Sequence, residues 1–222
     1  MNNSIAACII CRDSAVYIEA CLRSLAPVDF VNITDTGSKD DTCAIIEKTL
    51  SEMGKPYKLS LFDWVEDFSV ARNFNLAQCP AETEWFLWCD SDDTLQDGEN
   101  LKALLEATPD DVGAIWLSYN YAQDEYGNTT TIFERERLLR AKYGWLWKSR
   151  LHETIQPLSA CKYVWSDRMF VKHHHGGDTR SPRNFKLLNL MLIEEPNNKR
   201  VWLYLGHQHF AEGNWPKAAE WY

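Results

Sequence analysis

Apolar positions in the first half of the chain switch between a period of two and a period near 3.6. Ile5–Cys11 is a short, continuous apolar run of the kind a buried strand carries. Tyr17–Leu25 sets Cys21, Leu22 and Leu25 on one helical face. Phe30–Thr34 predicts a second strand, and Ser38, three residues ahead of Asp41, gives the next helix a start resembling a capping box. Tyr57–Phe62 predicts a third strand, Phe68–Gln78 a helix, Trp85–Cys89 a very apolar fourth strand, Gly98–Ala107 a helix and Gly113–Tyr121 another strand. Strand and helix in alternation predict βαβ units: an α/β fold with a mostly parallel sheet and helices on both faces.

Beyond residue 121 the pattern changes. Asp124–Asn128 is a turn signal between two strand-like runs, which predicts a hairpin. Residues 143–172 read as short, aromatic-containing strands, Arg183–Ile193 as a helix, and Pro196–Asn198 as a break. Two short helices follow, Arg200–Glu212 and Pro216–Tyr222, separated at Gly213-Asn214.

At 45% apolar and 25% charged residues, the chain of 222 residues has a globular balance that excludes disordered and fibrous classes. No apolar run reaches the roughly 18–20 residues of a membrane span, and no basic region precedes a long apolar stretch at the start, so a cytoplasmic protein is expected. The seven cysteines are scattered and odd in number, which does not describe a disulfide framework. Cys8 and Cys11 form a Cys-x-x-Cys, but on a strand residues three apart face opposite ways, and no second cysteine pair completes a zinc site. Buried thiols in a reducing compartment are the expectation.

The charge is uneven. Residues 1–130 hold 8 Lys/Arg against 23 Asp/Glu, a net of −15, whereas residues 131–222 hold 15 against 9, a net of +6. An acidic first half argues against a broad nucleic-acid surface. It admits a polyanionic ligand where a metal ion neutralises the carboxylates.

In open α/β sheets, ligands sit beyond the carboxyl ends of the strands. Three polar clusters fall at such ends: Arg12-Asp13, Asp35-Thr36-Gly37-Ser38 and Asp90-Ser91-Asp92-Asp93. An Asp-rich loop alone is more often a turn or a helix cap. Three strand ends agreeing on one sheet edge favour hard oxygen ligands for Mg2+ or Mn2+ carrying a diphosphate.

Three stretches, residues 33–40, 62–73 and 85–92, in this order resemble family 2 glycosyltransferases of the GT-A fold, in particular the subgroup with C-terminal tetratricopeptide repeats that includes enzymes similar to peptide S-glycosyltransferases. The resemblance covers residues 4–195. Arg12-Asp13 stands where the family usually has Lys-Asn, and Ser91 where Ala is usual. It implies a GT-A catalytic domain over 1–195 and a partial tetratricopeptide-like helix pair over 196–222, acting on a UDP-sugar with Mn2+ or Mg2+ as cofactor.

Residue by residue, the resemblance implies that Asp35 accepts from the uracil ring. Arg12, Asp67, Arg72, Asn73 and Ser91 would line the donor cleft, Asp90 would sit nearer the ribose and sugar, and Asp92 on the metal, which Asp90 also approaches. The alternative for Asp67 and Arg72 is an internal ion pair that organises a helix start. Glu153, with His152 beside it, occupies the place of an acidic general base in inverting members; the alternative is that Glu153 only holds His152 or the backbone. Tyr143, Trp145 and Trp147 could offer ring faces to a sugar, although such residues are more often core. In His173-His174-His175-Gly176-Gly177 the family's His-x-Gly pattern falls on His174, which implies a third metal ligand. Arg180, Arg183 and Lys186 would contact the diphosphate, with solvated helix charge as the equal alternative.

Trp202, Leu205, Gly206, His209, Ala218 and Tyr222 match the spacing of one 34-residue tetratricopeptide repeat. One repeat cannot bury its own face, so a longer parent protein is the favoured reading. The acceptor stays open between peptide, glycan, lipid and modified base, as do a protein partner on the helical tail and homo-oligomerisation. Two rival functions are a nucleotidyltransferase, which attacks the α-phosphate on a similar sheet, and a non-catalytic binding module built on a degenerate transferase.

Overall fold

The computed structural model describes residues 4–174 and 182–222. They divide into two units. The larger comprises residues 4–64, 71–146 and 155–174; the smaller comprises 65–70, 147–154 and 182–222. The short segments 65–70 and 147–154 therefore group with the C-terminal helices, a different division from a cut at residue 195.

The larger unit is organised by an eight-stranded sheet. Strands β1 (Ile5–Cys11), β2 (Phe30–Asp35), β3 (Tyr57–Leu61) and β4 (Trp85–Asp90) run parallel, β1 between β2 and β4. Every residue of β1 is buried, as a strand covered on both faces must be. Helices α1 (Ile18–Ser24) and α2 (Thr42–Glu52) supply Ile18, Leu22, Ile46 and Leu50 to the same core as Ile5, Ile9, Ile33 and Leu87. Each such side chain contributes roughly 1.5–3 kcal/mol on burial. α3 is Phe68–Ala77 and α4 is Leu101–Ala107.

The sheet continues with β5 (Asp93–Gln96), β6 (Val112–Gln123), β7 (Thr129–Arg140) and β10 (Lys162–His173), in the order β3-β2-β1-β4-β7-β6-β10-β5. The hairpin expected at Asp124–Asn128 joins antiparallel β6 and β7. β10 runs parallel to β6 and antiparallel to β5. β8 (Trp145–Lys148) and β9 (Thr154–Pro157) form a separate two-stranded ribbon.

Three local expectations are corrected. Asp93 opens strand β5 instead of closing a loop, a strand too short to show periodicity. β10 is 12 residues long, not a brief apolar run; its register shifts between Ser166 and Phe170, where Asp167 and Arg168 break the alternation. Ser38 does not cap α2: it faces Asp35 and accepts from the Asp13 amide at 2.9 Å, while Asp40 takes the Thr42 amide at 3.0 Å.

The smaller unit contains α5 (Pro182–Glu194), α6 (Lys199–Ala211) and α7 (Trp215–Trp221). Asn198 caps α6 and Asn214 caps α7, each accepting from a backbone amide of the first turn. At Gly206 a Cβ would lie 2.5 Å from the Tyr222 ring, so the glycine permits the close approach of chain end and α6. No helix among the described residues is long and apolar enough to cross a membrane.

Candidate functional site

The carboxyl ends of β1, β2 and β4 lie on one edge of the sheet, and their loops are tied together by polar contacts. Asp13 holds a left-handed backbone (φ 48°) that lets its carboxylate accept from the Lys39 amide at 2.7 Å. Ala15 donates to Asp40 at 3.1 Å, and Ser14 Oγ meets Ser91 Oγ at 2.8 Å. These contacts link the loop after β1 to those after both β2 and β4. Arg12 remains substantially exposed at this edge, 3.7 Å from Asp13.

Asp35 is buried and accepts from the amides of Gly37 and Ser38, both at 2.9 Å, and from the Ser38 hydroxyl. Its role here is to fold the loop; a uracil N–H would share an already hydrogen-bonded carboxylate. Arg72, buried on α3, donates to Asp90 at 2.6 Å and lies over the Trp88 ring. Burial would raise the Asp90 carboxyl, but the charges of Arg72 and Arg137 outweigh it and bring it down to about 2. Asn73, the next residue, is half-buried.

Asp92, Asp93 and His173 place one ligand atom each within 4.8 Å of one another. Asp93 is fully buried: it pairs with Arg137 at 3.2 Å and accepts from Tyr119 Oη at 2.9 Å, His173 Nδ1 at 3.0 Å and the Asp90 amide at 3.1 Å. Asp92 has 22% side-chain exposure and lies 3.6 Å from His173 Nδ1. Burial, then repulsion from Asp90 and Asp93, raises the Asp92 carboxyl to about 6 despite the opposing influence of His173. Burial would lower His173, but its bond to Asp93 and the charges of Asp92, Asp93 and Asp90 raise it. Adjacent carboxylates with an imidazole alongside are a donor set that fits Mn2+ or Mg2+. Asp92 is the carboxylate left available, since the hydrogen bonds of Asp93 commit both its oxygens; His173 Nδ1 is spent on Asp93, so that ring would ligate only through Nε2.

His174, expected as a third metal ligand, and its neighbour His173 face different partners. Met169, Val171 and His173 are buried on one face of β10, and His173 pairs in register with Asp93. His174 turns the other way, its Nε2 2.7 Å from Thr94 Oγ1. His175, Gly176, Gly177 and Arg180 lie outside the described residues.

In the smaller unit, Asp67 accepts from Ser69 Oγ at 2.7 Å and from the Val70 amide at 3.2 Å, capping the start of α3. Arg150 lies 3.8 Å from Asp67, donates to the Glu66 carbonyl at 3.1 Å and is bound to Glu194 by two hydrogen bonds. The structure thus pairs Arg72 with Asp90 and Asp67 with Arg150. Lys186 pairs with Glu66 at 3.1 Å, and Arg183 lies over the Phe68 ring. His152 adopts a left-handed backbone (φ 53°), stacks on Tyr204 with centroids 3.8 Å apart, and its carbonyl accepts from Arg200 at 2.7 Å. Burial of that ring face, reinforced by Arg200 and His207 and opposed by Glu153, lowers His152 to about 4. Glu153 is half-buried. Trp145 and Trp147 are buried, which favours core over sugar stacking.

The sequence reading singles out neither Arg137 nor Tyr119, and names His173 only within its run of three histidines. Extending the two-residue period of Met169 and Val171 by one step marks His173. Arg137, within the alternating Glu134-Arg135-Glu136-Arg137 run, carries no comparable signal.

The chain matches Glycosyl transferase family 2 over residues 6–168. It is 27% identical over 164 residues to the lipopolysaccharide core biosynthesis glycosyltransferase LpsC of Rhizobium meliloti, covering 69% of this chain and 57% of that protein. It is 42% identical over 89 residues to a TPR repeat-containing protein of Synechococcus elongatus, covering 40% of this chain and 20% of that protein. The chain thus spans well under two thirds of either relative. Among solved structures, S. aureus TarS 1-349 in complex with UDP superimposes with a TM-score of 0.56 at 19% identity, covering 94% of this chain and 72% of that one. Glucosyl-3-phosphoglycerate synthase from Mycobacterium tuberculosis in complex with Mg2+ and UDP gives 0.53 at 16% identity, covering 86% and 79%. These two likenesses establish the GT-A fold. With the family match spanning most of the sheet and all three acidic strand ends, the chain belongs to glycosyl transferase family 2.

Proposed function

We propose that this chain moves a sugar from a UDP-sugar to an acceptor nucleophile, with Mn2+ or Mg2+ held by Asp92 and His173. The observation that carries the reading is the interlocked edge of β1, β2 and β4, with Asp92 and His173 set against a buried Arg137–Asp93 pair. TarS and the glucosyl-3-phosphoglycerate synthase, which share the fold, were crystallised with UDP, and TarS also with UDP-GlcNAc.

Asp35 receives the uracil N–H, and Arg12, Asn73 and Ser91 line the donor. Arg72 holds Asp90 ionised and oriented toward ribose and sugar. A bound divalent ion would supply neutralising charge for the departing diphosphate. The acceptor attacks the anomeric carbon as the bond to the diphosphate oxygen breaks; its proton passes to Glu153, and the configuration inverts. By the resemblance alone, Asp67, Arg183 and Lys186 are also read as donor contacts. His152 supports Glu153 as a neutral ring, consistent with its lowered proton affinity.

The α6–α7 pair is read as the start of a tetratricopeptide array, supported by the Gly206–Tyr222 approach and by the relative that carries such repeats. Mass-spectrometric analysis of a UDP-sugar panel incubated with the chain and Mn2+ tests the function. Release of UDP with transfer or hydrolysis of one sugar is expected. Release of pyrophosphate would indicate nucleotidyl transfer, and binding without turnover a non-catalytic module.

A further inference from the structure

We infer that Cys8 and Cys79 form an oxidisable thiol pair, a modification site for hydroperoxides that joins strand β1 to the turn following α3. The two sulfurs lie 3.4 Å apart although the residues are 71 positions apart in sequence. A disulfide requires closure to about 2.0 Å, a movement small enough to come from side-chain rotation. The partner of Cys8 is therefore not Cys11, whose thiol points to Asp35 at 3.6 Å.

The two thiols are chemically unequal. Cys8 is buried and its thiol is held well above its usual proton affinity, first by burial. Cys79 is partly exposed, and its hydrogen bond with Cys8 brings it below its usual value against the effect of burial, with Asn32 and Lys58 acting in the same direction. Asn32 Nδ2 approaches Cys79 Sγ at 3.4 Å. Cys43 and Cys161, also partly exposed, are both raised. Cys79 is thus the thiol with access and thiolate character, and Cys8 the resolving thiol beside it.

The Cys79 thiolate attacks one peroxide oxygen; the O–O bond breaks and, with a proton, water leaves, giving a sulfenic acid. The Cys8 sulfur then attacks the Cys79 sulfur, the S–O bond breaks, and the hydroxyl leaves with the Cys8 proton as a second water. Two thiols and one hydrogen peroxide yield one disulfide and two waters. The bond would fasten the end of α3, where Asn75 already donates to Ile9 O at 3.0 Å and to Thr34 Oγ1 at 3.0 Å, more firmly to the sheet.

The test treats the full chain with a small excess of hydrogen peroxide, counts thiols after denaturation, and maps unreduced peptides by mass spectrometry. Loss of two of the seven thiols, a Cys8–Cys79 linked peptide and recovery with dithiothreitol are expected. In Cys8→Ala, oxidation of Cys79 should stop at a sulfenic acid that dimedone traps; in Cys79→Ser, Cys8 should stay reduced. Preferential oxidation of Cys43 or Cys161, or oxidation of wild-type Cys79 without linkage to Cys8, would overturn the inference. The mapping of the wild-type chain decides the matter even where a variant folds poorly.

Discussion

The guanidinium of Arg137 meets the carboxylate of Asp93 at 3.2 Å with neither side chain exposed to solvent. Arg137 is also layered between the rings of Trp88, at 3.9 Å, and Tyr119, at 4.3 Å. Through Asp93 this pair fixes the Asp90 amide and His173, so a charge that never reaches solvent sets the positions of groups that do. Arg137→Met should cost about 3–5 kcal/mol, because it leaves Asp93 charged and buried without its cation. Urea denaturation measures this. Asp93→Asn in the Arg137→Met background should recover part of the loss, and strict additivity would show that the two residues do not act as a pair.

Asp92→Asn removes a carboxylate that burial and its neighbours already drive toward protonation. Stability should stay within about 1 kcal/mol of the parent or rise. Sugar transfer should fall at least about 100-fold, the scale of a charge clamp on a leaving group. A thermal melt and a transfer assay on the same preparation give both numbers. Loss of cooperative unfolding would make Asp92 structural.

Glu153→Gln is the sharpest test of the proposed base. Transfer should drop roughly 10²–10⁴-fold with UDP-sugar affinity nearly unchanged, because the amide keeps the shape but takes no proton. Transfer within threefold of the parent would leave Glu153 only a support for His152, with Asp67 the next candidate base.

His152 is exposed at its edge, while its face lies on Tyr204. Its folded-state value of about 4 lies below the ordinary 6.5 of the unfolded chain, so the unfolded state binds more protons between these values. Its contribution to stability is full above 6.5 and is lost as pH falls toward about 4. NMR titration of the ring should give a midpoint below that of a free histidine, and Tyr204→Ala should raise it. A midpoint at or above 6.5 in the parent would show that the face is not desolvated.

The parallel half of the sheet was legible because β1, β2 and β4 are apolar runs closed by charged loops, and sequence pattern and strand end coincide there. β5 was not legible: four residues opening on Asp93 look like the tail of an acidic loop, and only pairing with β10 makes them a strand. Asp35, Asp90 and Asp92 stand out as candidates in the sequence because they close or follow apolar runs. At the three adjacent histidines the motif points to His174, whereas strand alternation sets His173 toward Asp93. Arg137 was beyond sequence reading, since its partner Asp93 is set by tertiary contact alone.

In the proposed function the acidic sheet edge holds a nucleotide diphosphate through a divalent ion. Calorimetry of UDP binding, with Mn2+ and again with excess EDTA, tests it most directly. Saturable binding with the metal, and loss of at least most of that affinity on chelation, are expected. Equal affinity in both conditions, or binding in neither, would contradict it.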